Sequence, residues 1–223
     1  MLQRLGYDHS ARGEVALNRR YGTLGHETYE LIVNGAFVMD TTETSTERLL
    51  ASSALRRLLD EDLRILVGGL GLGFTVAELL HSPRVAAVDV VELEPALVDW
   101  IRDDLVPHTA GVLSDPRVRV RVGDVHTAVR DDRPGSYHAI LLDVDNGPDW
   151  LVHEPNAQLY ERPFLTACVR ALRPGGLLSV WSSERARPLH RLLGELFVSC
   201  DELHETVNRE GRRIDYYLYL ANT

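Results

Sequence analysis

Leu63-Arg64-Ile65-Leu66-Val67-Gly68-Gly69-Leu70-Gly71-Leu72-Gly73-Phe74-Thr75-Val76-Ala77 decides how the rest of this chain reads. The apolar run Leu63–Val67 predicts a buried strand, glycines crowd the next six positions, and Thr75–Leu80 takes up helical spacing. Strand, Gly-rich turn and helix in that order open a doubly wound α/β sheet, which binds nucleotides beyond the carboxyl ends of its strands. Glycine there permits a tight turn and close backbone approach to a ligand. The same turn also suits a simple packed corner between strand and helix, so the surrounding sequence must decide.

Downstream, strand and helix keep alternating. Val85–Val91, Val118–Val122, Ala139–Leu142 and Leu177–Trp181 are short apolar runs, and Pro95–Leu105 and Gln158–Leu172 are helices between them. Arg173-Pro174-Gly175-Gly176 stops the second helix. Uninterrupted apolar strands imply a parallel sheet covered on both faces. The end differs: Glu202–Val207, a turn at Gly211 and Ile214–Leu220 predict an antiparallel pair closing the sheet edge.

Upstream, residues 1–14 are polar and read as loosely ordered. Glu14–Asn18 has a β pattern, and Asn34-Gly35 between Tyr29–Val33 and Ala36–Met39 predicts a hairpin, because both turn positions need positive φ. Thr44-Ser45-Thr46-Glu47 fits a capping box opening a helix. The fold class is therefore α/β, a doubly wound Rossmann-like sheet with an antiparallel C-terminal pair. Residues 1–43 form a small N-terminal β-hairpin extension and 44–223 the cofactor-binding domain.

Two features point to S-adenosylmethionine rather than NAD. The dinucleotide pattern G-x-G-x-x-G fails, since Phe74 takes the sixth position counted from Gly69; Gly69-x-Gly71-x-Gly73 is the methyltransferase-type spacing. Glu92, followed by Leu93, ends the next strand about twenty residues on, where an acid binds both ribose hydroxyls. Asp124, before Val125, follows the third strand, where a carboxylate can accept from the adenine amino group; it could also merely cap the helix near His126.

On these segments the chain resembles the spermidine synthase family, from about residue 13 to the end. Tyr29–Met39 is similar to its N-terminal hairpin and Gly68–Gly73 to its Gly-rich loop. Val91–Glu94 resembles its ribose segment, Asp115–Asp124 its adenine side, and Leu172–Gly176 its following turn. The resemblance implies a catalytic loop beginning at Asp143. It also implies departures. The family's loop Asp, which holds the amine of decarboxylated S-adenosylmethionine, is matched by Gly71, and its catalytic Asp-Ser-Ser-Asp by Asp143-Val144-Asp145-Asn146. Met39 and Ser45 stand for its polyamine-lining Gln and Tyr. Without the loop carboxylate, the counter-ion for the decarboxylated donor is lost and repulsion against an ordinary donor's carboxylate is relieved. Methyl transfer from S-adenosylmethionine to a small amine, hydroxyl or carboxyl acceptor is the preferred expectation, ahead of aminopropyl transfer from the decarboxylated donor. A non-catalytic cofactor-binding or sensing protein is a third reading.

Methyl transfer from a sulfonium asks for alignment, exclusion of water and removal of a proton. Asp143 and Asp145 are the candidate catalytic acids, and Asp143 could also hold the donor's amino group. Asn146 and Tyr160 are candidate substrate contacts, and the connection carrying Trp150, His153 and Glu154 is either a lid or a surface loop. Trp181 reads as core. His9, His26 and His108 have no metal-ligand spacing, and Cys168 and Cys200 predict neither a disulfide framework nor a metal site.

In the 223 residues, 33 acids against 24 Lys and Arg give a net charge of -9, which argues against nucleic acid and anionic membranes as partners. No apolar run reads as a signal or a membrane span, so a cytoplasmic protein with a small-molecule substrate is expected. The N-terminal hairpin either closes over the pocket or forms a homodimer seam.

Overall fold

The computed structural model describes residues 1–22, 26–148, 150–209 and 211–223. Four strands, β1 (Leu2–Ser10), β2 (Gly13–Tyr21), β3 (Glu27–Val33) and β4 (Ala36–Asp40), form an antiparallel sheet in chain order. After α1 (Ser45–Arg57) come β5 (Leu63–Gly68), α2 (Phe74–Leu80), β6 (Val85–Glu92), α3 (Pro95–Arg102), β7 (Val118–Val122), α4 (Val125–Asp131) and β8 (Tyr137–Leu142). Then follow α5 (Arg162–Ala171), β9 (Leu172–Ser182), α6 (Arg187–Leu196), β10 (Ser199–Arg209) and β11 (Arg212–Asn222). The second sheet has seven strands in the order β10-β11-β9-β8-β5-β6-β7. Strands β5 to β9 are parallel, and the last two are antiparallel.

Period-two alternation sorts the parallel strands' side chains between two cores. Ile65, Val67, Val88, Val90, Ala139 and Leu141 face α1, α2 and α3. Leu66, Val91, Ile140, Leu142, Leu178 and Val180 face α4, α5 and α6. Burial on both faces is why these strands read as unbroken apolar runs. β5 pairs with β6 on one side and β8 on the other, so the chain reverses its direction of winding there. The crevice at that switch point lies beyond Gly68 and Leu142.

Residues 1–14 are not loose. β1 pairs with β2 from Leu2↔Arg20 to Ser10↔Gly13. Gly6 lies so close to the Trp100 indole of α3 that a Cβ would fall 2.4 Å from the ring. Polar strands of this kind are fixed by distant packing, which local composition does not reveal. Val15, Leu17, Tyr29 and Leu31 of this sheet share the core of α1, α2 and α3. The expected hairpin is thus two strands of a four-stranded sheet packed onto the body.

Two helix expectations also change. Glu154–Tyr160 is a 3-10 turn and α5 begins anew at Arg162, since Pro163 has no N–H with which to continue the earlier turn. The capping box does not form: Thr44 makes no side-chain cap bond, and Glu47 is buried instead. The C-terminal strands run longer than expected. Only Tyr217–Asn222 of β11 pairs with β9, so the rest of the β10–β11 ribbon projects past the sheet edge. An Arg209–Asp40 ion pair ties it to β4.

Candidate functional site

A cleft of about 840 Å³ opens at the switch point. Its wall at the end of β5 depends on Gly69. With φ +88 there, a Cβ would lie 2.0 Å from the Asp143 carbonyl oxygen, so only glycine lets the two loops meet. Asp143 N–H donates to Gly68 O at 2.8 Å and Gly69 N–H to Val91 O at 2.9 Å, locking the three strand ends together.

Glu92 is buried at the end of β6, and each of its oxygens accepts one backbone bond. Leu70 N–H donates to Oε2 and Glu94 N–H to Oε1, both at 2.8 Å. Burial raises its pKa, opposed by those amides. The remaining lone pairs of a carboxylate held in this way suit two adjacent hydroxyls. Leu93, Gly123, Asp124 and Val125 continue the wall. Asp124 does cap α4, accepting from His126 N–H at 2.8 Å through Oδ1. Among the described residues its Oδ2 accepts no hydrogen bond. The capping and ligand roles are therefore compatible.

The β1–β2 turn covers this cleft. Arg12 reaches Glu94 with Nε–Oε1 at 2.7 Å and Nη2–Oε2 at 3.3 Å. Asn34 holds the turn from below, accepting from Glu14 N–H and donating to Arg12 O. Arg12, Asn34 and Glu94 all line the cleft; in the sequence Asn34 reads only as a hairpin turn and Glu94 only as part of the ribose segment, and no local motif marks Arg12.

Asp143 forms the floor. Burial pushes its pKa up to about 6, partly offset by the Thr75 hydroxyl, which donates to Oδ2 at 2.7 Å. Thr75 also lies 3.3 Å from the Glu47 carbonyl. The neighbouring acid is hence Glu47 on α1, whose own pKa is raised to about 7 by burial and then by Asp143. Asp145, the acid expected to act with Asp143, lines the first cleft beside it and also holds the loop that follows. Its oxygens accept from Val152 N–H at 2.7 Å and Asn156 Nδ2 at 2.6 Å, fastening the following loop. That loop is anchored at its other side too, for Ser183 N–H donates to Asn146 O at 3.0 Å.

A second cavity adjoins the first, with Val38 lining both. Phe37, Trp150, Trp181 and Tyr216 give it aromatic walls, and Glu43, Glu47, Glu184 and Asn146 give it polar ones. Its Arg209 is neutralised by buried Asp40 and lies 4.5 Å over the Phe37 ring. The cavity is thus net acidic and aromatic, which suits an organic cation. Trp181 is mostly core, as expected, yet one side of it meets this cavity beside Tyr216 at a ring separation of 5.4 Å.

Gly69, Gly71, Glu92, Leu93, Asp124, Val125 and Asp143 converge on the first cleft, and Asn146 reaches the second. Gly73 instead serves as the left-handed N-cap of α2. Tyr160 packs into the core of α4, α5 and α6 and lines neither of these two cavities. His153 lines the first cleft, while Trp150 is largely exposed at the edge of the second. No described helix is long and apolar enough to cross a membrane.

Fold and cleft together define an α/β protein with a crevice at the switch point of its sheet, walled by acids at three strand ends. Residues 45–207 match the spermine/spermidine synthase domain, and the chain belongs to that family. Over 140 residues it is 32% identical to putrescine N-methyltransferase 3 of Nicotiana tabacum, a stretch covering 63% of this chain and 35% of that protein. Over 178 residues it is 32% identical to the polyamine aminopropyltransferase of Mycobacterium tuberculosis, covering 79% and 32%. The matched stretches thus span about a third of these relatives' lengths. Among solved structures, a spermidine synthase in complex with the transition state analogue AdoDATO superposes with TM-score 0.83 at 16% identity, over 99% of this chain and 73% of that one. The spermidine synthase of Thermotoga maritima gives 0.80 at 17%, over 99% and 72%.

Proposed function

We propose that the chain is an S-adenosylmethionine-dependent transferase that moves a methyl group to an amine of a small organic cation. The observation that carries this reading is the adjacency of the two cavities. A crevice with a diol-binding acid and a second acid opposite it shares Val38 with an acidic, aromatic cavity, and the Thr75 hydroxyl links Asp143 of the first to the backbone of Glu47 in the second. Glu92 would hold the ribose, Asp124 the adenine amino group and Val125 the purine edge. Bound there, S-adenosylmethionine supplies a methyl carbon on a positively charged sulfur. The chain's own task is to bind, exclude water and bring an uncharged nitrogen into line.

What supports methyl rather than aminopropyl transfer is the Gly-rich loop. Gly68–Gly73 carries no carboxylate, and the space above Gly71 holds the Met39 sulfur, 2.8 Å from where a Cβ would sit. Leu72 N–H points at that same sulfur at 3.3 Å. A donor tail meeting this surface finds no fixed anion from the loop, which suits the zwitterionic tail of the ordinary donor better than a lone ammonium. The identity to a polyamine aminopropyltransferase over 79% of the chain favours the second reading, aminopropyl transfer from the decarboxylated donor. Calorimetry with both donors, followed by mass spectrometry of products from a panel of diamines, separates them. Tighter binding of the ordinary donor and a methylated amine are expected; tighter binding of the decarboxylated donor and an aminopropylated product would reverse the assignment.

A further inference from the structure

We propose that Glu47 receives the acceptor's ammonium group and takes the proton that must leave before its nitrogen can attack. The inference rests on the transferase reading above and names the acceptor-side residue of that site. Glu47 is 8% exposed, lines the second cavity, and among the described residues has no cationic partner. Its nearest polar company is the Thr46 hydroxyl, which donates to Oε2 at 2.8 Å. Buried carboxylates are ordinarily paired or coordinated. One left without a cation, facing a cavity, is a place for a cation to arrive.

The groups around it agree. Glu43 precedes it on the approach to α1 and Glu184 stands across the cavity at the end of β9. Asp143, just past the end of β8, is linked to its backbone through the Thr75 hydroxyl, which lies 3.3 Å from the Glu47 carbonyl oxygen and 2.7 Å from Asp143 Oδ2. From the ribbon come Tyr216 and Arg209, the latter held by Asp40 of β4. Asn146, on the loop where the family resemblance implies an acid for the acceptor amine, brings no charge. Glu47 supplies it from another element.

The step balances. An alkylammonium gives one proton to the Glu47 carboxylate, leaving a neutral amine and a protonated Glu47. The nitrogen lone pair then forms the N–C bond while the C–S electron pair returns to sulfur, yielding a secondary ammonium ion and a neutral thioether. Because burial holds Glu47 protonated up to about pH 7, an arriving dication at lower pH displaces that proton to solvent.

The test is calorimetric titration of putrescine into the intact chain, with and without S-adenosylhomocysteine, at about pH 6 in buffers of different ionisation enthalpy. Parent, Glu47→Gln and Glu43→Gln are compared. The expected result is thioether binding within about twofold of the parent in all three, and putrescine binding weaker by about tenfold or more in Glu47→Gln alone. Proton release on amine binding should be present in the parent and absent in that variant. Equal putrescine binding and equal proton release in parent and Glu47→Gln would overturn the proposal, as would a parent that does not bind putrescine. Failure of the thioether to bind any of the three instead removes the transferase reading, while the titrations without it still report on Glu47. A thermal melt at about pH 8 guards against misfolding, because removing a buried charge should leave Glu47→Gln at least as stable as the parent.

Discussion

The two cavities share a wall at Val38 and are built by different means. The first is framed by backbone: strand ends of β5, β6 and β8 locked by amide bonds, a glycine with no room for a side chain, and a carboxylate held by two N–H groups. The second is framed by side chains from β4, α1, the loop after β8, the end of β9, β10 and β11. A backbone frame keeps one ligand chemistry across large changes in sequence. A side-chain frame can be respecified without disturbing the fold, and this chain has relatives named for both methyl and aminopropyl transfer.

The sharpest way to break that contrast is at the boundary. Asp143→Asn keeps a group able to accept from Thr75 but removes the charge on the floor of the first cleft, on the side that Thr75 links to Glu47. Turnover should fall by about 10²–10⁴-fold, while calorimetric affinity for S-adenosylhomocysteine changes little. An equal loss of both would assign Asp143 wholly to the first cleft.

Next is the backbone itself. Gly69→Ala sets a Cβ against the Asp143 carbonyl at a positive φ, and should cost about 2–4 kcal/mol in urea unfolding. Trp150→Ala, at the rim of the side-chain cavity and 60% exposed, should stay within about 0.5 kcal/mol. Similar losses at both would erase the distinction.

Acidity separates the regions further. Folded Glu47 keeps its proton up to about pH 7, whereas the unfolded chain gives it up in the ordinary carboxylate range. Stability should therefore fall as pH rises through that window and level off above it, with Asp143 adding a parallel fall that ends near 6. At about 1.4 kcal/mol per unit, the two shifts together set the loss at no more than about 6 kcal/mol, slightly more than half of it from Glu47. Glu47→Gln should flatten most of the slope in melts between about pH 5 and 8. A slope unchanged in that variant would mean that Glu47 titrates normally.

The same division governs what could be read from sequence. The parallel strands announce themselves by burial on both faces, and the first cleft by glycines, Glu92 and Asp124 at fixed distances from strand ends. Those positions follow from topology, so local pattern reaches them. Glu47 lies inside a stretch whose residue types fit a capping box, and only the packing of α1 against α2 and β9 places it on a cavity wall instead. Asp145 carries the right chemistry in the right loop, yet Val152 and Asn156 occupy it. Tyr216 and Arg209 reach the site because β10 and β11 outrun their partner strand, a length that hydrophobic alternation underestimates. Strand β1, polar and Gly-containing, is fixed by Trp100 nearly a hundred positions away in sequence.

Within the first cleft, Glu92→Gln should weaken S-adenosylhomocysteine about 10–30-fold, because a carboxamide cannot accept from both amides and still serve two hydroxyls. A change below about twofold would move the sugar elsewhere.

The smallest expected effect tests whether the N-terminal sheet takes part in the backbone frame or only covers it. Arg12 is the one described side chain of the β1–β2 turn that pairs with the cleft wall, and it does so through Glu94, whose own amide holds Glu92. The guanidinium is about a third exposed, so the pair is screened and is worth about 0.5–1 kcal/mol. Arg12→Ala should weaken nucleoside binding about two- to fivefold at low salt, with the difference shrinking as ionic strength rises and the melting temperature little changed. Arg12→Lys keeps the charge but loses the fork, and should fall between the two. Parent-like binding by Arg12→Ala at low salt would mean that Glu94 orients Glu92 unaided, and that the first cleft is complete in the strand ends alone.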